Sequence, residues 1–181
     1  MPFPIQVSDL LAAPGTSRRE SGSISISVGL SDAAVDDDVS FHLDLRSLAD
    51  GLVGRGSADA TIDLRCSSCL VEWSESVSVP LEAVFRLHPQ DEEEYPIATG
   101  GWIDVEPVVH DEVALALPLA PRCRPDCRGL CPTCGTDLNT DPCAGHDDVT
   151  DSPFAVLQGI FEATPDETDA GAPGVGAPDQ S

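Results

Sequence analysis

Five cysteines and a histidine fall within residues 123–146, spaced Cys123-x3-Cys127-x3-Cys131-x2-Cys134-x8-Cys143-x2-His146. Two further cysteines, Cys66 and Cys69, form a separate Cys-x2-Cys pair. A chain this rich in thiols must oxidise them, bury them, or give them to a metal. Oxidation is disfavoured by the expected compartment. Met1-Pro2-Phe3-Pro4 lacks the basic segment and apolar core of a signal peptide. No apolar run approaches the roughly 18 residues that span a bilayer. The chain is therefore expected in the cytoplasm, with no membrane partner, where thiols stay reduced. Burial as small hydrophobes fits poorly, because the neighbours are polar: Arg122, Arg124, Asp126, Arg128, Thr133, Asp137 and Asn139. Metal remains, and zinc is the expected ion.

The centre of the cluster is Cys131-Pro132-Thr133-Cys134-Gly135. A Cys-x2-Cys turn aims two sulfurs at one ion, and the glycine supplies the positive φ that such a knuckle commonly needs. Zinc takes four ligands, and three sets satisfy the spacing. Cys123, Cys127, Cys131 and Cys134 form the leading set. Cys131, Cys134, Cys143 and His146 form an alternate. Seven cysteines plus His146 also make eight ligands, enough for two sites, with Cys66 and Cys69 joining Cys123 and Cys127. A single thiol-rich loop closing one tetrahedral site predicts about one zinc per chain. An iron–sulfur cluster has the same ligand types, but the Cys-Pro-x-Cys-Gly turn favours zinc. Cys66-x2-Cys69 also reads as a redox pair or as two thiols at a strand turn; no strand–helix pattern of the thioredoxin type surrounds it. Arg122, Arg124 and Arg128 suit the net negative charge of a zinc–thiolate centre and are candidate contacts for RNA or a partner.

Hydrophobic periodicity predicts the scaffold. Ser23 to Val28 alternates as a strand with one buried face. Asp36-Asp37-Asp38 reads as a turn, and Val39, Phe41, Leu43 and Leu45 share one face of the next strand. Gly51, Gly54 and Gly56 punctuate the following stretch. Ala58, Ala60, Ile62, Leu64 and Cys66 mark a third strand. Val71, Trp73, Val77, Val79, Leu81, Ala83, Phe85 and Leu87 share one parity in a fourth, where Pro80 marks an edge or bend. Asp91 to Glu94 reads as a solvated loop. Asp104 is placed to cap a helix from Val105, whose apolar stripe is Val105, Val108, Val109, Val113, Ala116 and Leu117. The expected fold is α+β: an antiparallel, strand-rich domain with one main helix and a cysteine-rich metal-binding appendage. Residues 1–20 are a partly ordered lead-in, 21–161 a single domain with its metal segment at 123–146, and 162–181 a disordered acidic tail.

Charge narrows the partners. Aspartate and glutamate total 32 against nine cationic residues, all arginine, for a net charge of -23. Such a field repels phosphate backbones and attracts basic proteins. Little suggests catalysis. His42, His88 and His110 read as surface residues, a thiol-rich metal set leaves no open position for substrate, and the glycines miss both standard phosphate-loop spacings.

Several landmarks, in order, resemble the YceD family, named for accumulation of large-subunit ribosomal RNA. Arg65-Cys66-Ser67-Ser68-Cys69-Leu70 resembles its cysteine turn. Asp104-Val105-Glu106-Pro107 through Leu117-Pro118 resembles its helix, and Cys127 through Asn139 its metal-type segment. Pro153-Phe154-Ala155-Val156-Leu157 resembles its closing motif, so the likeness runs over about residues 22 to 161. The resemblance implies a non-enzymatic factor for 23S rRNA accumulation and ribosome assembly, acting through an acidic surface and a structural zinc site. A basic ribosomal protein or a pre-ribosomal particle of the large subunit is the implied partner. The alternative is a zinc-containing adaptor or regulator that touches RNA through its arginines. Members with the first cysteine turn but no second cluster imply a second site independent of Cys66 and Cys69. The family often closes its cluster with Cys-x-Cys or paired histidines; here Cys143-Ala144-Gly145-His146 stands instead.

Overall fold

Four long strands in sequence order build the centre of the protein, seen in a computed structural model whose described residues are 2–146. They are β2 (Ser17–Gly29), β3 (Ala33–Ser47), β4 (Gly51–Arg65) and β5 (Glu72–Arg86). Each pairs antiparallel with the next, and β6 (Glu94–Pro96) adds a short parallel strand beside Val84–Arg86. A separate ribbon pairs β1 (Pro4–Gln6) with β7 (Trp102–Asp104). The helices are α1 (Ser8–Leu11) and α2 (Glu106–Ala116). Among the described residues the protein is strand-rich, with one main helix. None of its helices there is long and apolar enough to cross a membrane.

Strict alternation places one face of the sheet in the core. Val39, Phe41, Leu43 and Leu45 of β3 are buried, as are Ala58, Ala60, Ile62 and Leu64 of β4. Val79, Leu81, Ala83 and Phe85 continue the layer on β5. Helix α2 lies against β5, β2 and β4. Eleven residues make a helix about 16 Å long, enough to reach across strands spaced roughly 4.8 Å apart. It contributes Val108, Val109 and Val113, with Val105 and Leu117 at its ends. Ala116, expected on the stripe, is exposed because its position turns the side chain off the sheet-facing arc. The Asp104 carboxylate accepts the Glu106 N–H at 3.1 Å and the Phe3 N–H at 2.9 Å, so it joins the start of α2 to the chain before β1.

Several expectations need correction. Residues 4–11 are folded elements, and Ile5, Val7 and Leu10 sit in the core. Ser17 to Glu20 already belong to β2. Asp36 to Asp38 are not a turn. They lie within β3, paired with Ser27, Ile26 and Ser25, where the register with β4 shifts between Ala34 and Ser40. Their exposure on a locally unpaired edge explains why three like charges are tolerated in a strand. Gly51, Gly54 and Gly56 are inside β4; a Cβ at Gly56 would strike the His42 carbonyl, so close backbone approach selects glycine there. Val71 and Leu87 fall outside β5 and are exposed, each one residue beyond the ladder that ends at the Arg65–Glu72 and Gly51–Arg86 pairs. Glu94 leaves the acidic loop to begin β6, where it accepts from Arg86 Nε at 3.0 Å. Pro80 pairs with Ser57 on β4, while β6 reaches only Val84–Arg86, so the proline sits on an open edge as expected.

The chain divides into two compact units, Met1–Cys143 and Ala144–Ser181. Of the second, only residues 144–146 are described. The acidic tail at 162–181 and the closing motif at 153–157 lie outside the described residues.

Candidate metal centres

The β4–β5 connection is a knuckle. Arg65 pairs with Glu72, and between them Cys66 N–H donates to the Val71 carbonyl at 2.8 Å and Leu70 N–H to the Cys66 carbonyl at 2.9 Å. Closing so tight a turn drives Leu70 to φ 62°, the left-handed region an L-residue with a branched side chain avoids. The same construction recurs 65 residues later, since 131 minus 66 is 65. Leu130 pairs with Asp137, Cys131 N–H donates to the Thr136 carbonyl at 2.8 Å, and Gly135 N–H to the Cys131 carbonyl at 2.9 Å. Gly135 has φ 73° where Leu70 has 62°. Two Cys-x2-Cys knuckles of one design are therefore present in the chain.

Space around Gly135 is open: a Cβ added there would meet no atom within 4 Å, so only its backbone conformation demands glycine. Gly135→Ala is therefore expected to cost about 1–2 kcal/mol, the penalty for placing a Cβ in the left-handed region. The loss should appear in metal affinity or in protease resistance of residues 131–143. An unchanged variant would show that the turn can relax to negative φ.

The segment after α2 docks onto the first knuckle. Ser67 N–H and Oγ both donate to the Pro121 carbonyl, at 2.9 and 3.1 Å, and Leu130 N–H donates to the Ser68 carbonyl at 2.9 Å. Gly129 permits this approach, since a Cβ there would come within 2.9 Å of the Ser68 carbonyl oxygen. Docking brings Cys123 and Cys127 to Cys66 and Cys69, all four sulfurs lying within 4.8 Å of one another. The Cys66–Cys127 and Cys69–Cys123 sulfur separations are 3.8 and 3.6 Å. Cys131, Cys134 and Cys143 form a second group within the same limit, with Cys134 and Cys143 at 3.7 Å.

The leading set of Cys123, Cys127, Cys131 and Cys134 is thus divided between two groups. The expectation that the second cluster stands apart from Cys66 and Cys69 is corrected in the same way. Hydrogen bonds from the 66–70 turn to Pro121 and Leu130 decide the partition, and these link residues more than 50 positions apart. His146, the alternate fourth ligand, belongs to the second unit.

The distances fit a metal and not a disulfide. Four sulfurs about 2.3 Å from one zinc sit about 3.8 Å apart at the corners of a tetrahedron, whereas bonded sulfurs are about 2.05 Å apart. Electrostatics agrees. The backbone N–H of Cys123 leads in stabilising the Cys66 thiolate, with help from Cys69 and Ser68, and lowers its pKa to about 6. Cys131 is lowered too, chiefly by the Cys134 and Thr133 N–H groups. Burial and the neighbouring sulfurs push Cys123 up to about 12. Four sulfurs in contact cannot all ionise without a cation among them.

One more side chain touches the first group. Asn139 Nδ2 lies 3.7 Å from the Cys127 sulfur. The sequence offered only its polarity and its place after the second knuckle. Arg122, Arg124 and Arg128 are all exposed on the docked segment, and Arg124 pairs with Asp126 at 3.6 Å.

Residues 54–161 match the family described as large ribosomal RNA subunit accumulation protein YceD. The chain belongs to the YceD family. That match includes both knuckles, the docked segment and α2, while β2 and β3 precede it. The YceD chain is also 34% identical over 130 residues to the uncharacterized protein Rv2926c of Mycobacterium tuberculosis, covering 67% of this chain and 63% of the relative. It is 33% identical over 129 residues to the uncharacterized protein ML1660 of Mycobacterium leprae, covering 66% and 59%. The matches therefore span less than two thirds of these relatives' length. No solved structure matches the YceD chain. The family takes its description from the accumulation of large-subunit ribosomal RNA.

Proposed function

We propose that this YceD protein is a non-enzymatic cytoplasmic factor for 23S rRNA accumulation and large-subunit assembly, its cysteine-rich segment held by two structural zinc ions. The first zinc is held by Cys66, Cys69, Cys123 and Cys127. The second is held by Cys131, Cys134 and Cys143, with His146 supplying the fourth ligand on its Cys143-x2-His146 spacing. The observation that carries the reading is the first group itself. Four thiols at tetrahedral separations make a closed shell, with no position left for a substrate or an activated water. Zinc there supplies cross-linking energy and no chemistry.

The working surface is the acidic one. A groove of about 880 Å³ beside α2 is lined by Glu82, Asp91, Glu92, Glu93, Asp111 and Glu112 among others, with no cationic residue in its walls. Together with the net charge of -23, this supports a basic protein of the large subunit as the partner. Affinity capture from cytoplasm, with and without RNase, tests it. Large-subunit proteins should be retained after RNase treatment. Recovery of no ribosomal component under either condition would sink the proposal. Retention lost with RNase, and with Arg122, Arg124 and Arg128 replaced by Ala, would favour direct contact with RNA.

A further inference from the structure

Asn139 is half-buried at the base of the second knuckle, and its amide has a determined orientation. The Arg128 backbone N–H can only donate, and it meets Asn139 Oδ1 at 2.9 Å. The other amide atom faces two acceptors, Asp137 Oδ1 at 2.7 Å and the Cys127 sulfur at 3.7 Å, so it must be the NH2 group. Asp137 in turn accepts the Asn139 backbone N–H at 2.9 Å, and its carbonyl receives the Thr140 and Asp141 N–H groups. The whole turn is thus tied to Asp137, which pairs with Leu130 across the second knuckle. Asn139 is carried by the hairpin of the second group, yet its side chain donates to a sulfur of the first.

We propose that Asn139 is a positioning residue that couples the two metal centres: folding of the second knuckle sets its amide on Cys127 and strengthens metal binding at the first centre. This rests on the reading that both groups hold zinc. A four-thiolate zinc centre carries two net negative charges, and an N–H directed at one sulfur withdraws part of that charge while holding the ligand in place. Outer-shell donors of this kind typically contribute 10- to 100-fold in metal affinity. The first knuckle has no equivalent, because the position 65 residues before Asn139 is Ser74, which bonds Asp63 at 2.6 Å instead.

The test uses the full chain, with zinc or cobalt(II) affinities measured by chelator competition and folding followed by circular dichroism. Cys69→Ser isolates the second centre, and Cys143→Ser disables the second so that the first is compared with and without it. Asn139→Ala should weaken the first centre 10- to 100-fold and leave the second unchanged in the Cys69→Ser background. Asn139→Asp keeps the acceptor for the Arg128 N–H but replaces the donor with a carboxylate, so it should weaken the first centre at least as much; this variant decides if the alanine variant misfolds. Cys143→Ser should weaken the first centre by the same factor as Asn139→Ala, and combining the two should add nothing further. Unchanged first-centre affinity in both Asn139 variants, or fully additive effects in the double variant, would overturn the coupling while leaving two zinc sites intact. A wild-type chain that takes up no metal would overturn the zinc reading, and the coupling with it.

Discussion

Replacing Cys69 with serine is expected to lower bound zinc from about two per chain to about one and to free residues 121–130 from the sheet. The docked segment has little else to hold it. Cys123, Arg124, Pro125 and Asp126 are exposed, and three hydrogen bonds to Pro121 and Ser68 tie the segment to the 66–70 turn. A net hydrogen bond contributes about 0.5–1.5 kcal/mol, while structural zinc in small knuckles contributes apparent energies of about 10–16 kcal/mol. The metal term therefore dominates. Strands β2 to β5 should survive, since their core of Val39, Leu43, Ile62, Leu81 and Phe85 lies apart from the sulfurs. Metal analysis after reducing purification, with hydrogen exchange over 121–130, measures both effects. Zinc near one per chain in the unmodified protein, or no loss from the variant, would return the ligand set to a single-site scheme. Collapse of the sheet on chelation would show that the metal supports the whole domain.

Phe85→Ala should destabilise the sheet domain by about 3–5 kcal/mol, the usual range for removing a buried phenylalanine. Phe85 is 0% exposed, near the end of β5, and its ring centroid lies 5.8 Å from that of Tyr95 on β6. Its cross-strand partner is the buried Leu52, and the buried Ala83 stands two residues before it on β5, so little beside it can expand into the space. Against a typical total of about 5–15 kcal/mol, the loss takes a large share of stability. Leu115→Ala is the matched control. That side chain is 82% exposed on α2, so its removal should change stability by no more than about 0.5 kcal/mol. Urea unfolding of the two variants gives the comparison, and a cost below about 1 kcal/mol for Phe85→Ala would mean that the core repacks.

Much of this protein could be read from its residues in order. Alternation at Val39, Phe41, Leu43 and Leu45, and again from Val79 to Phe85, named the inner face of the sheet, because a period of two leaves a strand no other choice. The stripe Val105, Val108, Val109 and Val113 named α2 and its buried side for the same local reason. The eight candidate ligands were likewise countable, and their division into two fours was one of three arithmetical possibilities. Local pattern failed where partners are distant. Ile5, Val7 and Leu10 look like a loose lead-in, until Ile5 pairs with Ile103 and all three join the core. Asp36 to Asp38 look like a turn, until β2 lies beside them. Which cysteines meet depended on a turn at 66–70 receiving a segment that begins at Pro121, and no spacing along the chain encodes that distance. Leu70 hid the likeness of the two knuckles, because sequence marks a left-handed position by glycine and here the fold imposes it on leucine. Residue types determined what chemistry was available; tertiary hydrogen bonds decided which sulfurs come together, since that grouping is set by positions in space and not by order along the chain.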